Sequence, residues 1–259
     1  MKNIMMFADN YPEEYNLLVV RRPDVPAAER DVEEIVIPGR DGSLLIDNKR
    51  YNNIEIAIDF NYVGREENWG EKWREAKMWL SARNARLSFS DDSGYFYRVK
   101  YVKLSNNQRK TTRIGYFTAT FVCEPYLYLL PGTVEDKQAL KETCLCTVSG
   151  KNLLLTTGQR ILSQIRRATI RNKYEMCKPV YRIVGKGTCV LSVNHNNFTL
   201  LLDNEMIIDT EKEMAYSKAG ILNTSLAGDY AGLSLMQGIN VIECNGECDV
   251  YITPNWREL

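Results

Sequence analysis

His195 is the only histidine in a chain of 259 residues, and it stands in the run Asn194-His195-Asn196-Asn197. A Ser-His-Asp triad or a His-based metal site would have to pass through that one imidazole, so a solvated turn residue is expected there instead. Cys144 and Cys146 are separated by one residue and Cys244 and Cys248 by three, neither being the paired two-residue spacing of a zinc ribbon. The seven cysteines, an odd number scattered along the chain, are expected to be reduced and buried thiols rather than a disulfide framework. Asp91 and Asp92 could face a cation, but they lie in Ser90-Asp91-Asp92-Ser93-Gly94. That is a cluster of turn residues without the alternating ligands of a Ca²⁺ loop.

The sequence holds no G-x-x-x-x-G-K-[ST] stretch and no Gly-rich strand-to-helix turn that would cradle a phosphate. Carboxylates are plentiful, and a β-sandwich glycosidase needs two of them in one cleft at no fixed spacing. A glycosidase or esterase is therefore one enzymatic alternative, and it requires two acids to converge. No catalytic, cofactor-binding or metal-ligating residue is expected, and no cofactor.

The residues that organise the first half are structural. Trp69, Trp73, Ala76 and Leu80 recur at intervals of four, three and four, which predicts a helix over about 66–82 with Glu71, Lys72, Arg74, Glu75 and Lys77 on its other side. Tyr95, Tyr97, Val99 and Tyr101 then alternate against Arg98 and Lys100. Ile114, Tyr116, Thr118, Thr120 and Val122 alternate after a polar break at 106–110, so the two runs read as an antiparallel hairpin. A sheet of this kind gives the helix a surface to bury its tryptophans against. Trp69, Trp73, Trp79, Leu80 and Tyr126 are the expected structural core of this region.

Net charge is zero, with 25% charged and 44% apolar residues, as in an ordinary globular protein. Residues 1–130 carry 19 basic and 19 acidic side chains and the remainder 14 of each, so neither half has the excess of Lys and Arg that a phosphate backbone or an anionic membrane attracts. A near-neutral chain also lacks the self-repulsion that opposes association. No apolar run is long enough to cross a bilayer, and residues 1–10 lack the cationic and apolar pattern of a leader, so synthesis in the cytoplasm without membrane insertion is expected.

In chain order, Leu17-Leu18-Val19-Val20 predicts a first strand. Glu34 to Val36 enters, and Leu44 to Ile46 leaves, a turn built on Pro38-Gly39 and Asp41-Gly42, which together predict a projecting arm over about 34–46. Ile54, Ile56, Ile58 and Phe60 alternate as a half-buried strand, and Leu87 to Phe89 is a short one. Pro131-Gly132 and the polar run 133–143 mark the expected boundary between domains 1–132 and 133–259. Beyond it come strands at Leu153–Leu155, Ala168–Arg171, Val180–Val184, Cys189–Val193, Phe198–Leu202, Met206–Asp209, Leu233–Leu235, Ile239–Cys244 and Asp249–Thr253. Their spacing predicts a β-sandwich. The stretch Arg160 to Arg182 is basic and Asp203 to Glu213 acidic; they either pair across the sheet or offer complementary patches to a second subunit.

Ile37-Pro38-Gly39-Arg40-Asp41-Gly42, Trp79-Leu80, Leu87-Ser88-Phe89-Ser90-Asp91-Asp92 and Gly115-Tyr116-Phe117 leading to Cys123-Glu124-Pro125-Tyr126 resemble, in order and spacing, the distal tail protein (Dit) family of siphophages. So do Ile207-Ile208-Asp209, Leu235 to Ile242 and Pro254-Asn255-Trp256-Arg257, which carry the likeness over nearly the whole chain. The segments 174–179 and 136–146 depart from the family pattern. The resemblance implies a mainly β protein with one prominent helix: an N-terminal β-sandwich with helix and hairpin arm, and a C-terminal galectin-like β-sandwich.

It further implies a non-enzymatic structural protein of the virion tail tip that forms a hexameric ring. In the family the ring joins the tail tube and tape-measure proteins to the tail-associated lysin or tail fibre and can carry receptor-binding proteins, while DNA passes through without specific binding. On that reading Ile37, Pro38, Gly39, Arg40, Asp41 and Gly42 lie at a ring interface. The alternative for the same six is a solvated turn, and the alternative for the second domain is a carbohydrate-binding module that recognises host cell-wall polysaccharide.

Overall fold

A computed structural model of the chain describes residues 4–63, 69–130, 144–145, 166–246 and 248–259. It is mostly β, with one α-helix and several sheets, and it divides into two compact units, Met1–Leu127 with Leu259 and Tyr128–Glu258.

The first unit contains β1 (Met5–Phe7), β2 (Leu17–Val19), β3 (Arg30–Val36), β4 (Ser43–Tyr51), β5 (Ile54–Val63), helix α1 (Trp69–Leu80), β6 (Ala85–Phe89), β7 (Tyr95–Leu104), β8 (Gln108–Arg109) and most of β9 (Ile114–Leu129). The main sheet runs β1-β6-β7-β9-β5-β2, with β8 also on β9, and β3 and β4 form a separate two-stranded sheet. β5 shows how sequence sets register. Its Ile54, Ile56, Ile58, Phe60 and Tyr62 are all buried, and opposite them β9 places Cys123, Phe121, Ala119, Phe117 and Gly115. Each of the buried Ile and Phe side chains among them contributes about 1.5–3 kcal/mol.

Helix α1 packs on this sheet through aromatic edges. Trp73 meets Phe117 at 4.7 Å and Tyr62 meets Trp69 at 4.5 Å, both T-shaped, while the Tyr62 hydroxyl donates to the Trp69 carbonyl at 3.0 Å. Of the expected helix, residues 66–68 lie outside the described residues, and Ser81 and Ala82 fall in the turn that follows Leu80, where their N–H groups donate to the carbonyls of Met78 and Trp79.

The alternation expected along β7 changes part-way. Tyr97 packs on the core and Val99 is buried, but Tyr101 is exposed and Phe96 is buried on the other face, under the Arg86 guanidinium at 5.0 Å. β6 pairs with β7 only over Tyr97 to Val99, and Tyr101 lies two residues beyond that pairing. β1 was not marked by any period in the sequence, being only three residues long.

The second unit contains β10 (Cys144–Leu145), β11 (Arg166–Asn172), β12 (Val180–Gly185), β13 (Gly187–Val193), β14 (Asn196–Leu202), β15 (Glu205–Asp209), β16 (Met214–Ser217), β17 (Gly220–Ile221), β18 (Leu226–Ala227), β19 (Gly238–Asn245), β20 (Cys248–Thr253) and β21 (Arg257–Glu258). One sheet runs β10-β11-β19-β13-β14-β18 and the other β17-β16-β15-β12-β20. A single core lies between them, with Leu191, Val193, Phe198 and Leu200 from the first sheet and Tyr181, Ile183, Met206 and Ile208 from the second.

Two expectations are corrected here. Leu233–Leu235 is not a strand: Tyr230–Leu233 form a 3₁₀ turn capped by the Asp229 side chain, which accepts from the Ala231 N–H, and only Leu235 makes a β-bridge, to Cys177. A local cap outweighs strand propensity over so short a run. The cysteines are not all thiols either, because Cys189 and Cys248 form a disulfide, while Cys123 and Cys177 are buried thiols. The bonded pair is 59 residues apart and on opposite sheets, a proximity that only the fold creates. The expected strand Leu153–Leu155 and the segment 133–143 lie outside the described residues.

The motifs near the end of the chain have local structural work. Asn240 is buried and accepts from the Met236 N–H and the Asn194 amide, each at 2.8 Å, and donates to the Met236 carbonyl at 2.8 Å. Asn255 donates to the Lys178 carbonyl at 2.9 Å and Arg257 to the Met176 carbonyl at 2.8 Å, around a buried Trp256. These side chains satisfy backbone groups of irregular segments that have no strand partner.

Candidate functional site

Among the described residues, His195 and the adjacent acids Asp91 and Asp92 join no group of metal-ligating side chains. His195 is exposed, in the left-handed conformation with Asn194, and together they make the two-residue turn between β13 and β14. Asp91 accepts from the Arg22 Nε with both oxygens at 3.0 Å, and that guanidinium lies 3.7 Å from the Phe89 ring centre. Among the described residues Asp209 is the only buried carboxylate, and it accepts from the N–H groups of Glu211 and Lys212 at 3.1 Å and pairs with the Lys212 Nζ at 2.8 Å. A hollow of about 490 Å³ lined by Ser81, Arg83, Asn84, Lys100, Tyr101 and Val102 contains no acid. A second of about 210 Å³ contains Glu213 alone. Neither hollow brings two carboxylates together.

The basic and acidic stretches of the second unit meet in part within one sheet. Arg182 of β12 pairs with Glu205 of β15 at 3.4 Å and lies 4.1 Å from the Tyr251 ring centre on β20.

The feature that stands apart is the arm formed by β3 and β4. The chain reverses through Ile37-Pro38-Gly39-Arg40, with the Arg40 N–H donating to the Ile37 carbonyl at 3.1 Å and Gly39 at φ +81°. Proline at the second position and a left-handed glycine at the third make this a type II turn. Asp41 and Gly42 complete the tip, and all six residues from Ile37 to Gly42 are exposed. Register runs from Val36 opposite Ser43 to Val32 opposite Asp47, with an irregularity before Arg30 and Tyr51.

Residues directly opposite in an antiparallel pair share a face. One face of the arm therefore carries Ile35, Leu44 and Ile46 beside Glu33, and the other carries Val32, Val36 and Leu45 beside Glu34, Ser43 and Asp47. All six apolar residues are exposed, Val36 at 77% and Leu45 at 58%. A two-stranded sheet alone is marginal in water, and among the described residues this one shows apolar side chains to solvent on both faces.

The base of the arm is held by charge and aromatic contacts. Arg30 pairs with Asp47 and Arg50 with Asp31, the Arg30 guanidinium lies 5.4 Å from the Tyr51 ring centre, and Tyr51 meets Tyr126 edge-on at 6.4 Å. The Arg30 guanidinium is held above its ordinary pKa by its hydrogen bonds with Asp47 and Tyr51. Asp47 sits below the usual carboxylate range because it accepts from the Lys49 N–H and then from Arg30, and Asp31 sits below it because it accepts from Arg50.

No family model matches this chain, and no curated protein does. Among solved structures it is similar to SPP1 Dit (gp 19.1), described as a paradigm of the hub adsorption apparatus in phages that infect Gram-positive bacteria. The likeness covers 98% of this chain and 98% of that one, with a TM-score of 0.61 at 12% sequence identity. The chain has a Dit-like fold.

Within that fold, the expected core residues separate into two groups. Trp79 and Leu80 are buried, while Trp69, Trp73 and Tyr126 are half-buried, the first two against the helix-facing side of the sheet and Tyr126 at the base of the arm. The turn residues Ile37 to Gly42 sit together at the arm's tip. The sequence marks both strands of the arm, over about 34–46, but the six interface residues expected from it are those of the tip and not the apolar residues of the strands. The signal was present in the pairing of Ile35 with Leu44 and of Glu34 with Leu45 across a six-residue connection.

Proposed function

We propose that this chain is a non-enzymatic structural subunit of a phage tail tip, located in the virion and assembling as a hexameric ring. In this reading the ring joins the tail tube and tape-measure proteins to the lysin or fibre and to receptor-binding proteins, and DNA crosses it without specific binding. The first unit supplies the ring and the second, a galectin-like sandwich, points away from it. The observation that carries the reading is the likeness in fold to SPP1 Dit over the full length of both chains.

The arm supports the same reading. Six exposed apolar side chains on two strands are a surface in want of a partner, and a second copy of the chain offers one wherever cyclic symmetry brings the arm onto its neighbour. Zero net charge permits such close packing of identical subunits. Light scattering over a concentration series, on the chain alone and mixed with the tail proteins it is proposed to join, tests the proposal. A mass near six times the 29.8 kDa of one chain is expected. A single-chain mass in every mixture would contradict it.

A further inference from the structure

Three cysteines meet at one end of the second unit. Cys189 lies in β13 and Cys244 in β19, neighbours in the six-stranded sheet, while Cys248 opens β20 in the five-stranded one. All three are buried, and their sulfur atoms lie within 4.8 Å of one another. The disulfide uses two of them. The sulfur of Cys244 stands 2.9 Å from that of Cys248 and 3.9 Å from that of Cys189, so it touches the bond that it does not share. A crosslink between the sheets needs only two sulfurs, and the cluster holds three.

The backbone around the cluster is shaped to it. Gly246, in the turn between β19 and β20, has φ +126°, and a Cβ there would come within 2.7 Å of the Cys189 sulfur and 3.1 Å of the Thr188 carbonyl oxygen. Only glycine lets that turn close over the sulfur.

We propose that the reduced chain binds one thiophilic d¹⁰ metal ion of the Zn(II) class through the thiolates of Cys189, Cys244 and Cys248. Metal–sulfur bonds of about 2.3 Å place the sulfurs around a tetrahedral ion about 3.8 Å apart. The 3.9 Å between Cys189 and Cys244 already has that spacing, and Cys248, once released from the disulfide, has to withdraw from Cys244 by about 1 Å and from its former partner Cys189 as well to reach it. Two equivalents of a low-molecular-weight thiol reduce the disulfide to two cysteine thiols, leaving one small-molecule disulfide. Zn(II) then forms three metal–sulfur bonds, three protons leave, and water takes the fourth position. The ion ties strands of both sheets where the disulfide ties them in the oxidised chain. The same end of the sandwich is thus closed by coordination in a reducing compartment and by a covalent bond in an oxidising one.

The test refolds the full chain in a phosphine reductant with one equivalent of Zn(II), removes excess metal, and weighs the product by native mass spectrometry. A parallel sample with Cd(II) is read by its thiolate charge-transfer absorption. One ion per chain and an upward shift of the unfolding midpoint are expected, with both lost in Cys244→Ser and both kept in Cys144→Ser/Cys146→Ser. Protein with the disulfide intact is expected to bind none. Reduced wild-type protein without stoichiometric metal, or Cys244→Ser with undiminished binding, would overturn the proposal. If Cys244→Ser does not fold, the wild-type Cd(II) absorption decides: intensity of three thiolates per ion supports the site, and that of one or two removes it.

Discussion

The indole Nε1 of Trp79 donates a buried hydrogen bond to the carbonyl oxygen of Phe7 at 3.0 Å, across 72 positions of sequence. The same two residues meet edge-on at 5.7 Å, and Tyr15 stacks on the indole at 4.7 Å. Helix α1 is thereby fixed to β1, an edge strand that pairs with the sheet over only three residues.

Replacing Trp79 with Phe keeps most of the apolar contact and removes one of two donors, since the Phe7 carbonyl still accepts from the Asn10 N–H at 3.0 Å. The expected loss is about 0.5–1.5 kcal/mol, that of one hydrogen bond. Trp79→Ala is expected to cost about 3–5 kcal/mol, because a cavity is added. Urea unfolding of both variants checks the order, and equal losses would show that the hydrogen bond contributes nothing.

The arm separates folding from assembly. Val36→Asp/Leu45→Asp changes only exposed positions, so stability is expected to stay within about 0.5 kcal/mol of the parent. Self-association is expected to fall, because a second copy must then desolvate two carboxylates against its own apolar surface. Sedimentation velocity compares the pair, and unchanged association would show that the arm faces no partner.

Acid is expected to loosen the base of the arm. Asp31 and Asp47 both have folded pKa values below the ordinary one, so their contribution is present above about pH 3.9 and is lost as pH falls below it. Hydrogen exchange of residues 30–51 at pH 6 and pH 3, corrected for intrinsic rates, reads this directly. Protection that persists at the lower pH would show that the carboxylate pairs do not hold the arm.

Alkali is expected to act on the buried thiols. Burial pushes Cys123 and Cys177 up to about 12. Their protonated forms favour the fold below the unfolded thiol pKa of about 8.5, and this contribution drains away as pH rises from there toward the folded values. Neither thiol is expected to react with a disulfide reagent at pH 8 until denaturant is added, as followed by peptide mapping. Rapid labelling of either in the native protein would contradict its burial.

Much of the first unit was legible because its periods are long. Ten residues of β5 alternate without interruption, and the tryptophan spacing fixes the helix within a few residues. The likeness to Dit proteins rested on motifs such as Leu235 to Ile242 and Pro254 to Arg257. In the fold, Asn240, Asn255 and Arg257 satisfy irregular backbone, a role that depends on the residue and not on a period. β1 escaped notice at three residues, and Tyr101 was placed inside because the end of β6 cannot be read from β7. The disulfide was illegible since two sheets had to close before its cysteines met. At the arm, glycine and proline announced the turn. That β4 continues through the polar residues Asp47 to Arg50 became evident only in its pairing with Arg30 to Val32.

The central claim is that copies of this chain close into a ring. Negative-stain imaging of the heaviest species separated by gel filtration, alone and after mixing with the tail proteins proposed as its partners, tests it most directly. Six-fold particles with a central hole are the predicted result; solid particles the size of one chain, or open filaments without closure, would contradict it.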